Sequence, residues 1–75
     1  MKWSDENVYN ELYDAICFDD DEPRAIEILK KALADDTINV NQTDVEGNSL
    51  IHHAEMNCMD DLQELLRENG AVEED

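Results

Sequence analysis

Apolar residues recur along the first third of this chain at helical spacing. Val8, Leu12, Ala15 and Ile16 fall at i, i+4, i+7 and i+8, and Tyr9 and Tyr13 widen that stripe on one side. Ser4 followed by Asp5 and Glu6 reads as its start, a capping hydroxyl and then acids suited to the positive end of the helix dipole. The stripe ends near Phe18. After the acidic stretch Asp19-Asp20-Asp21-Glu22, Pro23 suits the first turn of a second helix, where a missing N–H costs little. Its wide apolar face, Ala25, Ile26, Ile28, Leu29, Ala32 and Leu33, predicts packing against more than one neighbour and makes it the expected most buried element.

Between Asp35 and Asn48 the period changes. Ile38 and Val40 alternate with Asn39 and Asn41, then Asp44 and Gly47 supply turn chemistry, so an extended arm and a tight turn are expected. Ser49 can cap a third helix carrying Leu50, Ile51, Ala54 and Cys58. Asp60 or Asp61 can open a fourth, with Leu62, Leu65 and Leu66 at i, i+3 and i+4, and Asn69-Gly70 closes it. The expected fold is all-α: helix, helix, extended turn, helix, helix.

From Asn39 to Val72 these residues resemble an ankyrin repeat without a gap. Asp44 and Gly47 match the family's turn, Ser49-Leu50-Ile51-His52 its Thr-Pro-Leu-His helix opening, Ala54 its small packing position, Leu65-Leu66 its leucine pair and Gly70-Ala71 its exit. Leu50 replaces the usual proline, Glu55 a second alanine, and Cys58 the glycine between helices. Internal repetition supports the resemblance. Leu12 and Ala15 stand 39 residues before Ile51 and Ala54, and Ile26 and Leu29 stand 36 before Leu62 and Leu65. On this reading the first unit carries three extra residues, assigned to the acidic loop Asp19–Glu22. The resemblance implies one domain over 1–75, an ankyrin-like stack of two helix-turn-helix repeats joined by an extended β-turn arm. A degenerate first repeat spans 5–41, a second 42–72, and an acidic tail 73–75.

Composition tests whether such a chain folds. Leu, Ile, Val and Phe make 17 of 75 residues, just above the fraction of roughly 20% below which a highly charged chain stays disordered. Stacks of fewer than about three repeats are usually marginal. An end cap built by Trp3 and the tyrosines, or a covering partner such as a second copy, is therefore expected.

No early basic cluster or long apolar run marks a leader or a membrane span, which reads as a soluble, cytoplasmic chain. Cys17 and Cys58 have no C-x-x-C spacing and are expected as buried thiols inside helices. His52 and His53 beside Glu55 and Cys58 match no standard zinc ligand set. The family instead implies that His52 hydrogen-bonds around the helix opening. Asp19, Asp21 and Glu22 begin like a calcium loop, but Pro23 takes the fifth position and no glycine the sixth. Nothing resembles a nucleophilic triad or a phosphate loop, so neither catalysis nor a cofactor or metal is expected.

A binding role remains. The family recognises partners through turn tips and the inner face of each first helix, which by position are Val45, Glu46, Asn48, His53, Met56 and Asn57. Met56 can alternatively fill the groove between repeats. Charge adds a second candidate face: the formal net charge is -16, and residues 36–75 hold 11 acids against Arg67 alone. Asp60, Glu64 and Glu68 repeat along one helix side with Asp61 beside them, an arrangement that costs the helix a few tenths of a kcal/mol per like-charged pair. Two function classes follow. One is a non-enzymatic ankyrin-type adaptor. The other is a small acidic inhibitor or immunity-type protein that masks a basic nucleic-acid-binding site, by imitating nucleic acid or simply by charge. Both imply a protein partner with a basic surface; phosphates and anionic lipids would be repelled.

Overall fold

The computed structural model describes residues 4–72, which form helices α1 (Glu6–Cys17), α2 (Glu22–Asp35), α3 (Leu50–Met56) and α4 (Asp60–Glu68). Trp3, invoked above as an end cap, and the 73–75 tail lie outside the described residues.

Local chemistry sets most helix ends. Asp5, not Ser4, caps α1, its Oδ1 accepting from the N–H groups of Asn7 at 3.0 Å and Val8 at 3.2 Å. Ser4 is drawn away by the extended arm: its Oγ accepts from Asn39 N–H at 2.8 Å, and its own N–H donates to Gln42 Oε1 at 2.7 Å. Asp21 caps α2 through Arg24 N–H, and Ser49 caps α3 through His52 N–H. The fourth helix departs from expectation. Its cap position is Met59, which has no capping side chain. Glu22 at the start of α2 substitutes, its Oε2 accepting from Asp61 N–H at 3.1 Å and Leu62 N–H at 3.4 Å. Asp60 and Asp61 instead place charge in the first turn.

Both helix pairs turn back through a left-handed residue, Asp20 at φ 49° and Cys58 at φ 56°. Helix α3 therefore ends before Cys58, which is exposed in the turn rather than buried in a helix, while Cys17 is half-buried. The extra length of the first unit is mostly not in the acidic loop. Residues 18–21 make a link only one residue longer than 57–59, and the other two fall in the first turn of α2, which begins four residues before Ile26 where α4 begins two before Leu62.

Each helix packs on its hairpin mate, and α1 and α2 pack on α3 and α4 respectively. Leu12, Ile16, Leu29, Leu50, Ile51, Met59, Leu62 and Leu66 are fully buried where the pairs meet. Each such side chain contributes roughly 1.5–3 kcal/mol by leaving water. Ile38 and Val40 of the arm are buried as alternation predicts, and an isolated Thr43–Ser49 bridge closes the turn.

Burial has a direction. At the 39-residue spacing, Leu50 is buried where Glu11 is exposed, and Ile16 is buried where Glu55 is exposed. The inward-facing partner of each comparison is apolar and the outward-facing one acidic. The shortest helix, α3, with Leu50, Ile51, His53 and Ala54 buried, is the most enclosed; α2 buries only Ala25, Leu29 and Ala32. Tyr13 packs edge-on against His53 of α3, ring centroids 5.0 Å apart, so it lies between α1 and α3.

No helix among the described residues is long and apolar enough to cross a membrane.

Candidate partner-binding face

Asp44 organises the tip between the two pairs. Its Oδ1 accepts from the N–H groups of Glu46 and Asn48, both at 2.9 Å, while its backbone N–H reaches Asn48 O at 2.9 Å. Gly47 N–H closes the turn on Asp44 O at 3.0 Å with φ 83°, a left-handed conformation that glycine adopts without strain. The other carboxylate oxygen, Oδ2, lies 2.8 Å from His53 Nε2. Burial disfavours the Asp44 charge, but the hydrogen bonds from Asn48, His53 and Glu46 and the attraction of His53 outweigh it, holding the carboxyl below its ordinary value.

This arrangement divides the sequence-derived contact residues. Val45 stands fully in solvent at 103% relative exposure, Glu46 is exposed beside it, and Met56 is exposed at 69%, so Met56 fills no groove. Asn48 is half-buried in the turn, and Asn57 caps α3 by donating from Nδ2 to His53 O at 2.9 Å. His53 is buried at 9% exposure, which overturns its place on the contact face. It is also His53, not His52, that makes the side-chain hydrogen bond at the helix opening; the His52 ring lies against His53 with centroids 5.9 Å apart.

An aromatic row on α1 completes the face. Tyr9 and Tyr13 have ring centroids 6.2 Å apart, and Tyr13 and Phe18 6.3 Å. Phe18 is 76% exposed. Tyr9, Asn10 and Tyr13 form one wall of a groove of about 340 Å³, and Thr43, Val45 and Glu46 belong to the other. Tyr9 is 8% exposed, and its Oη is buried with no hydrogen-bond partner among the described residues. Burial, then Asp44, then Tyr13 and Cys17, raise the Tyr9 hydroxyl's pKa. Cys17, then burial, then Asp44 and more distantly Glu46 raise that of Tyr13. The Cys17 thiol is raised by burial first, with Asp44 and Asp14 adding to it against a hydrogen bond from Tyr13. Negative charge thus reaches all three side chains. The i, i+4 spacing of Tyr9 and Tyr13 was visible in the sequence, but their position opposite the turn depends on how α1 packs on α3.

The acidic candidates are distributed unevenly. Asp61, Glu64 and Glu68 line an open groove with Ile26, Lys30 and Leu65 between α2 and α4; Asp60 is exposed outside it. Among the described residues no group of three or more His, Cys, Asp or Glu side chains is placed to hold a metal ion.

Compared with protein-family models, with curated proteins and with solved structures, the chain matches none.

Proposed function

We propose that this chain is a short ankyrin-type module of two repeats, non-enzymatic, that binds a partner protein through the Asp44–Asn48 tip and the adjoining face of α1. The observation that carries this reading is that large apolar residues are left in water at the tip, Val45, and at the end of α1 beside Tyr13, Phe18. Val45 and Phe18 are among the most exposed side chains of their kind in a chain of net charge -16, where isolated apolar groups gain nothing from solvent. Two features support the ankyrin-type arrangement: pairing of α1 with α3 and α2 with α4, and a left-handed residue, Cys58, where the family has glycine. Since His53 is buried, the contact residues reduce to Val45, Glu46 and Met56, joined by Phe18 and Tyr13.

A second reading, the acidic inhibitor that masks a basic site, draws on the exposed row Asp61, Glu64 and Glu68. Lys30 of α2 lines the same groove and brings positive charge opposite that row, which favours the first reading.

Affinity capture with the intact protein, followed by titration calorimetry on what it retains, tests the choice. Changing Val45, Phe18 and Met56 together to alanine is expected to weaken binding by more than about tenfold, as exposed anchors do at the centre of an interface. Retention that survives this triple change but is lost on Asp61→Asn, Glu64→Gln and Glu68→Gln would move the function to the acidic groove.

A further inference from the structure

Resting on the tip-binding reading, we infer that the groove between α1 and the turn receives an arginine side chain from an extended segment of the partner protein. Its walls are unlike in a useful way. On one side are the rings of Tyr9 and Tyr13, and on the other Val45 and Glu46. An arginine has a long apolar stem for the first three and a planar cation that lies on aromatic faces and bonds to carboxylates.

Charge complementarity selects the cation. No basic residue is among the groove's lining, and the nearest carboxylates are those of Asp44 and Glu46. Asp44 already serves the turn and His53 with both oxygens, whereas the exposed Glu46 carboxylate has no partner among the described residues. Glu46 therefore supplies the anion for an incoming guanidinium.

Tyr9 contributes its ring to this groove and not its oxygen. The residue is more than nine-tenths buried, and its Oη is enclosed, with no hydrogen-bond partner among the described residues. Lysine satisfies the charge but brings a compact, strongly hydrated head with no planar surface, so arginine is the better match.

The test uses the intact, nitrogen-15-labelled protein and three acetylated, amidated peptides: Ala-Leu-Arg-Leu-Ala, its lysine counterpart, and its citrulline counterpart, which keeps the arginine shape without the charge. Saturable amide shifts centred on residues 9–13 and 43–47 are expected with the arginine peptide. Citrulline is expected to bind about tenfold more weakly, with lysine between them. Glu46→Gln, which leaves the turn's backbone bonds in place, is expected to weaken the arginine peptide severalfold and to reduce its salt dependence. Tyr9→Phe, which keeps the ring and removes only the enclosed hydroxyl, is expected to leave the affinity unchanged. Equal binding of arginine and citrulline peptides, shifts confined to the Asp61–Glu68 groove, or no saturable shift at millimolar peptide would each overturn the assignment. The tip-binding reading fails separately. If a captured partner is sensitive to Val45, Phe18 and Met56 but indifferent to Glu46→Gln, the arginine assignment alone is wrong; if it ignores all four, the face is wrong.

Discussion

The carboxylate of Asp44 and the imidazole of His53 meet at 2.8 Å across nine residues, tying the tip of the turn to the most enclosed helix. The same carboxylate holds two backbone N–H groups of the turn, so a single side chain determines where Val45 and Glu46 are presented. Changing Asp44 to alanine is expected to destabilise the fold by about 2 kcal/mol, the scale for losing charge-assisted hydrogen bonds that are partly buried. Asp44→Asn retains an oxygen for the turn and should cost less than half of that. Urea denaturation of both variants, with a double-mutant cycle including His53→Ala, checks the pairing; a coupling of about 1 kcal/mol is expected for groups in contact.

Acid should expose the same link. The Asp44 carboxyl is held below its ordinary value of 3.8, so the unfolded chain binds its proton more readily than the folded one. Its contribution is therefore complete above the unfolded value and is lost as pH falls through the lower folded value. Protonation of the many exposed acids relieves self-repulsion over the same range, which acts in the opposite direction. The difference between wild type and Asp44→Asn isolates the link: it should be largest near neutral pH and shrink below about pH 4. A gap that stays constant on acidification would show that the Asp44 charge contributes nothing.

Glu22 predicts a different kind of loss. It caps α4 from the first turn of α2, so Glu22→Ala should leave the first N–H groups of α4 without acceptors and cost about 1 kcal/mol, as helix-cap deletions do. Hydrogen exchange provides the location. Protection should fall first at the Asp61 and Leu62 amides, and Glu22→Gln should restore part of it because an acceptor oxygen remains.

How far these features were legible follows from how local their causes are. Ser49 and Gly70 act on residues within a turn of themselves, and their roles as cap and terminator were readable from the chain. Ser4 and Asp5 are both capping residues; a hydrogen bond from Asn39, 35 residues away, decides between them. Glu22 acts across 39 residues and leaves no local trace. His52 and His53 differ by one step of helix rotation, and only the position of Asp44 shows which points inward. The earlier start of α2 was equally hidden, because residues added before Ile26 leave the spacing of Ile26, Leu29 and Leu33 unchanged and so resemble part of the loop.

The Tyr9 hydroxyl yields a prediction whose sign shows whether it has a partner within the protein. A buried hydroxyl with no partner among the described residues has given up its hydrogen bonds to water at a cost of about 1–3 kcal/mol, so Tyr9→Phe should leave the fold as stable or raise it by about 1 kcal/mol. Alkaline conditions sharpen the comparison. Burial first, and then the charge of Asp44, raise the hydroxyl's pKa in the fold, so the folded state resists ionisation more than the unfolded chain. Its effect is fully present below the unfolded value of 10.0 and is lost as pH rises through the higher folded value, so wild type should weaken in alkali more than the variant. Thermal unfolding at neutral and alkaline pH measures both effects. A variant that unfolds at lower temperature than wild type at neutral pH would mean that the hydroxyl has a partner inside the protein.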